Sequence, residues 1–152
     1  MSASGTPEEV AVSVLLVTSD DRYESSLRAI FEGTLHTTHR ALNCLQARMC
    51  LQDQNVAVLV AEADLPDGNW KDLLDIAANL PDPPQLIVFS PRADDMLWAE
   101  VLNLGGYDVL PAPFAAEEVL RTISLACDAR ARRPVRSPSL STGAPNRSTA
   151  TA

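Results

Sequence analysis

The sequence predicts one α/β domain built on a five-stranded parallel sheet, doubly wound, with helices on both faces. Three observations carry that expectation. Residues 12–17, 56–61 and 86–89 are short apolar runs rich in Val, Leu and Ile, and they do not alternate with polar residues. Runs of that kind are expected where a strand is buried on both faces. Segments with apolar residues at helical spacing lie between the runs, and Asp, Gly and Pro clusters mark the junctions. The strand–helix alternation repeats five times, and right-handed crossovers leave few ways to arrange it.

Taken in order, residues 1–10 are expected to form a flexible leader and 11–132 the folded domain. Residues 12–17 form the first strand. Asp20 is placed to cap the following helix, with Asp21 in its first turn. Tyr23, Leu27, Ile30 and Phe31 recur at helical spacing, and Gly33 stops that helix. Residues 35–40 alternate weakly and predict a short strand. Leu42, Leu45, Met49 and Cys50 mark the apolar face of a second helix. The run 56–61 is a strand, and Leu65-Pro66-Asp67-Gly68 is a loop signal. Trp70, Leu73, Leu74, Ile76 and Ala77 give a third helix, ended by the prolines of 81–84. Residues 86–89 form a strand closed by Ser90-Pro91. A helix over 96–104 stops at Gly105-Gly106. A last strand spans 107–110, Pro111-Ala112-Pro113-Phe114 breaks it, and a final helix runs from Ala115 to about Arg132 on Val119, Ile123, Ala126 and Cys127. Residues 133–152, rich in Ser, Pro, Thr and Ala, are expected to be a disordered tail.

Composition narrows the function. The chain has 152 residues, 46% of them apolar, enough for one real core. No apolar run reaches the ~20 residues of a membrane span. The N-terminus lacks the basic region and apolar core of a signal peptide, so a cytoplasmic location is expected. Cys44, Cys50 and Cys127 are odd in number and without metal-ligand spacing, which fits reduced thiols. Residues 1–129 hold 20 acids against seven bases, whereas 130–152 hold five arginines and no acid. The acidic domain is a poor match for a phosphate backbone, although Arg130, Arg132, Arg133 and Arg136 could touch nucleic acid or an acidic partner; a solvated helix end favoured by the helix dipole is the simpler account. His36 and His39 sit three apart near a short strand and are expected on its opposite faces, so no metal pair follows.

Two segments resemble the receiver domains of bacterial two-component response regulators. Leu59-Val-Ala-Glu-Ala-Asp-Leu-Pro-Asp-Gly68 is similar to that family's acceptor strand and loop. Leu104-Gly-Gly-Tyr-Asp-Val-Leu-Pro-Ala-Pro-Phe114 is similar to its last strand and Lys-Pro-Phe ending. The resemblance covers roughly residues 11–130 and implies a flavodoxin-like fold, signalling by protein–protein contact and no enzymatic turnover of its own. Receiver chemistry uses an Asp nucleophile, a Mg²⁺ held by acids after the first strand, a Lys and a hydroxyl. Carried over residue by residue, the nucleophile falls on Glu62 and the acidic pair on Thr18 and Ser19. The Lys falls on Ala112, the switch hydroxyl on Ser90 and the aromatic switch on Val109. Tyr107, two residues before Val109, is expected to share its face. The Ala112-Pro113 bond is expected to be cis, as in the family.

One of these five main elements, Ser90, is unaltered, so the expected reading is a stand-alone pseudo-receiver that binds partners without phosphorylation, cofactor or metal. Its partner or homodimer surface would be the face of the fourth helix, last strand and last helix, where Trp98 lies. Glu62 would either mimic a phosphoryl group by reaching Ser90 or be a plain solvated acid, and Ser90 would either signal or cap the next helix. Two alternatives stand beside this reading. One is a phosphorylatable receiver that recruits Mg²⁺ through Asp20, Asp21 or Asp64; Asp64 and Asp67 could also join Glu62 in a cation site, although loop acids there are more often turn formers. The other is a small flavodoxin-like nucleotide or flavin binder, disfavoured because Thr18-Ser19-Asp20-Asp21 stands where a Gly-rich phosphate loop belongs.

Overall fold

A computed structural model describes residues 11–133. The proposed leader, and the tail from residue 134 onward, lie outside the described residues. The strands are β1 (Ser13–Val17), β2 (Thr37–Ala41), β3 (Val58–Glu62), β4 (Asp64–Leu65), β5 (Gly68–Asn69), β6 (Gln85–Ser90) and β7 (Asp108–Pro111). The helices are α1 (Asp21–Phe31), α2 (Cys44–Asp53), α3 (Trp70–Ala78), α4 (Asp95–Leu104) and α5 (Ala116–Arg132).

Five strands pair in parallel in the order β2-β1-β3-β6-β7. Alternate residues of each strand feed opposite cores, which is why the apolar runs are continuous. Leu15, Val17, Leu59, Ala61, Leu86, Val88 and Val109 pack under α2, α3 and α4, against Ala47, Leu51, Leu73, Ala77 and Val101. Val14, Leu16, Val58, Val60, Ile87, Phe89 and Leu110 pack on the other face against Leu27 and Phe31 of α1 and Val119, Ile123 and Ala126 of α5. The chain winds outward from β1 to β2, then crosses back to β3. The carboxyl ends of β1 and β3 therefore flank the point where the winding reverses, the usual place for a site in such sheets.

The helix boundaries follow from local chemistry. Asp20 caps α1 by accepting the Arg22 N–H. Asn69 and Asp72 form a reciprocal capping box at α3. Gly105 closes α4 with φ 112°, a conformation that favours glycine.

Several expectations need correction. The core face of α2 is Cys44, Ala47 and Leu51, whereas Leu42, Leu45 and Met49 are exposed. Cys44 and Ala47 share the sheet-facing side with Leu51, so Leu45 and Met49 fall on the outer side. The second strand begins at Thr37, leaving Leu35 exposed. The Leu65–Gly68 loop carries a small antiparallel hairpin, β4–β5. Tyr107 precedes β7 and packs in the α1/α5 core, while Val109 lies in the opposite core, so the two do not share a face.

Candidate functional site

The carboxyl ends of β1, β3, β6 and β7 bring together Thr18, Glu62, Ser90 and Ala112, residues far apart in sequence. Thr18 is fully buried. Its Oγ1 donates to Glu62 Oε1 at 2.7 Å and accepts the Asp20 N–H at 3.0 Å. Its own N–H donates to the Ala41 carbonyl at 3.0 Å. A buried hydroxyl needs partners of this kind, and the half-buried Glu62 supplies one. Ser19, the other half of the expected acidic pair, is exposed.

Glu62 is thus held toward β1. Ser90 Oγ instead accepts the Arg92 N–H at 3.0 Å, within its own turn. No hydrogen bond joins Glu62 to Ser90, so the expected phosphoryl-mimic contact between them has no support. Nor does Ser90 cap the next helix: α4 starts at Asp95, and Asp94 caps it by accepting the Leu97 N–H at 2.9 Å.

The nearby acids are engaged elsewhere. Asp20 binds Arg22 through its side chain and N–H, and the Arg22 side chain, then its N–H, holds the carboxyl below the usual carboxylate range. Asp21 pairs with Arg40 Nη2 at 2.9 Å. Arg40 Nη2 also donates to the Thr18 carbonyl at 3.3 Å, so a β2 arginine braces the loop after β1. Asp67 accepts the N–H groups of Cys44 and Leu45 at 2.8 and 3.1 Å, tying the hairpin loop to the start of α2. Those backbone donors, Cys44 first, lower its pKa. Burial, then the Asp67 charge, pushes the Cys44 thiol up to about 11. Asp64 is exposed on β4.

Ala112 donates its N–H to the Ser90 carbonyl at 3.1 Å, and the Ala112–Pro113 peptide is cis. Phe114 then packs edge-on against Phe89, with ring centroids 5.1 Å apart, and Tyr23 completes a three-ring cluster. The Pro-Phe pair therefore has a packing role in a chain without the lysine. Lys71 stays on α3, paired with Glu100 of α4 at 2.6 Å across a cleft of about 540 Å³. Ala63, Asp64, Ser90 and Arg92 also line that cleft.

A magnesium ion does not suit this donor set. Hard divalent cations favour several oxygen ligands with negative charge. Here Thr18 and Ser19 are neutral, Glu62 already accepts from Thr18, and Asp20 and Asp21 face arginines. Among the described residues no three metal-capable side chains come together. Sequence reasoning missed Arg40 and the Thr18–Glu62 bond. Only the parallel register of β1 on β3, which pairs Val17 with Ala61, could have pointed to that bond.

This order of strands around a reversal point at β1/β3 is the architecture of the response-regulator receiver class. The chain matches no family model and no curated protein. Solved receiver structures do match it. The signal receiver domain of an HD domain-containing protein from Pseudomonas fluorescens Pf-5 has a TM-score of 0.73 at 24% identity, covering 82% of this chain and all of the other. The beryllofluoride-activated NtrC4 receiver domain dimer has a TM-score of 0.71 at 28% identity, over 78% of this chain and 98% of the other. The chemotaxis response regulator CheY4 of Vibrio cholerae has a TM-score of 0.69 at 13% identity, over 77% and 99%. The chain has the CheY-like receiver fold.

Proposed function

We propose that this chain is a pseudo-receiver, a signalling module that works by binding other proteins without being phosphorylated and without catalysing a reaction. The observation that carries the reading is the bond from Thr18 Oγ1 to Glu62 Oε1. Phosphoryl transfer to a carboxylate needs a correctly placed nucleophilic oxygen and concentrated positive charge around the transferring group. The acceptor position here holds a longer carboxylate engaged by a neutral hydroxyl, with Ala112 where a lysine would stand. No cofactor is part of the proposal.

The receiver likeness supports a role in signal transduction. The NtrC4 neighbour is described as a dimer, which makes the surface of α4, β7 and α5 the place to look for a contact in this chain. The cysteines among the described residues are free, in keeping with a cytoplasmic setting. Among those residues no helix is long and apolar enough to cross a membrane, and no membrane or nucleic-acid partner is proposed.

The test is an amide NMR titration of the full chain with Mg²⁺ and then beryllofluoride, which imitates a phosphoryl group on a carboxylate. A flat response at Glu62, Ser90 and β7 is expected. Saturable shifts centred on those residues would restore the phosphorylatable reading.

A further inference from the structure

The helix α4 is anchored thinly for one so apolar. Val101 is its one buried residue. Met96 is 82%, Trp98 49%, Leu102 37% and Leu104 50% exposed. Trp98 and Leu102 are four apart and share a stripe, with the exposed Ala99 beside them. Single exposed apolar residues are ordinary, but an exposed Trp–Leu stripe on one helix marks a contact surface.

Charge says what can cover it. From residue 93 to residue 120 the chain holds six acids (Asp94, Asp95, Glu100, Asp108, Glu117 and Glu118) and no base. Some have local work. Glu100 pairs with Lys71, Asp94 caps α4, and Asp108 accepts the Val109 N–H. Asp95, Glu117 and Glu118 have no ion-pair partner among the described residues. First-turn acids favour the helix dipole, which explains their placement at the starts of α4 and α5. The bases beside this stretch are Arg92 and Arg121, which flank it, and Lys71, which pairs with Glu100; three bases against six acids leave a negative excess. A two-fold contact between copies would set this acidic rim against itself.

We infer that the α4 face, with its Trp98–Leu102 stripe inside an acidic rim, receives a basic protein segment with an apolar anchor, and does not pair with a second copy of this chain. The inference rests on the pseudo-receiver reading for its place on the α4–β7–α5 surface and adds the partner's chemistry. Trp98 and Leu102 supply the desolvated centre, and the rim supplies attraction and register.

The test uses the ¹⁵N-labelled full chain and a synthetic amphipathic peptide with lysines on one face and leucine and tryptophan on the other. A counterpart peptide carries glutamates in place of the lysines. The basic peptide should shift amides of α4 and the start of α5, and its affinity should fall roughly tenfold on moving to high salt. Trp98→Ala should weaken it about thirtyfold. Leu45→Ala/Met49→Ala, which trims the exposed stripe of α2, should leave it unchanged. Sedimentation should find no self-association through this face. Equal binding of the acidic peptide, shifts centred on α2, or a dimer dissolved by Trp98→Ala would each overturn the inference. Tighter peptide binding by Arg136→Glu/Arg147→Glu would do so too, because the chain's own C-terminal segment would then be the occupant. Beryllofluoride shifts in the absence of peptide would count against the pseudo-receiver reading and would leave the peptide result to be judged separately.

Discussion

The rim at β1 and β3 and the outer face of α4 treat polar and apolar groups in opposite ways. At the rim nearly every group is occupied. Thr18 is bonded to Glu62, Asp20 to Arg22, and Asp21 to Arg40. On α4, Met96, Trp98, Leu102 and Leu104 stand in solvent, and among the described residues five of the six rim acids have no ion pair. A receiver normally keeps its chemistry open at the rim. In this chain that region is held by two ion pairs and a hydroxyl–carboxylate hydrogen bond, and the exposed apolar surface lies elsewhere. On the pseudo-receiver reading proposed above, internal contacts set the conformation at the rim and the α4 face is left for partners.

The strongest way to break the contrast is to reopen the rim. Thr18→Asp/Ser19→Asp/Glu62→Asp/Ala112→Lys restores the family's residues. This variant should gain Mg²⁺ and beryllofluoride responses where a flat response is expected of the parent. At a hundredfold excess of Mg²⁺ over its Kd it should gain about 2.7 kcal/mol of stability, read by urea unfolding with and without the metal. A variant that folds but ignores both ligands would mean that more than these four positions separates the chain from a working receiver.

Removing the closing bond should come next in size. Thr18→Val keeps the shape but strips both the donor to Glu62 and the acceptor for Asp20. It should cost about 1–3 kcal/mol in urea unfolding. Glu62→Gln, which keeps an acceptor oxygen for Thr18, should cost less than Thr18→Val. If the order were reversed, the carboxylate charge would matter more than the bond.

Acid should loosen the same region by a smaller amount. The folded pKa values of Asp20 and Asp67 lie below the usual value, so both carboxylates stabilise the fold above the unfolded pKa of about 3.9. That contribution is lost as pH falls through the lower folded values. Stability should therefore be level in this respect near neutrality and decline below about pH 4. Asp67→Ala should lower the thermal midpoint by a few degrees at pH 7, and its deficit should shrink in acid.

The smallest stability effect belongs to α4. Met96→Ala and Leu102→Ala should each change unfolding by within about 0.5 kcal/mol, because surface changes of this kind remove little buried area. A large loss would show that the stripe is part of the core.

The sequence exposed the buried strands well, since Leu59, Val60, Ile87 and Val88 are apolar on both faces and leave no ambiguity of period. It was misleading for α2, where Ala47 and Cys44 carry the burial but little hydrophobic signal beside Leu45 and Met49. It placed Glu62 and Thr18 at strand ends. Their bond was not legible, because it joins residues 44 apart and depends on which way a flexible carboxylate turns. Asp67 was readable as a turn residue, yet its two acceptor bonds reach across to α2, a contact that only the folded hairpin creates.

Gly106 has a mechanical consequence. A Cβ there would lie 2.4 Å from Val101 Cγ1 and 3.1 Å from the Val101 carbonyl oxygen, so the chain can turn under α4 only without a side chain. Val101 sits over that gap, and the half-buried Leu97, one turn earlier, packs against the same core. A helix held at two points one turn apart resists sliding along its axis more than it resists rolling about it. Rolling would re-aim Trp98 and Leu102 while most of the core stayed still, so the orientation of α4 is the degree of freedom a partner could set most cheaply.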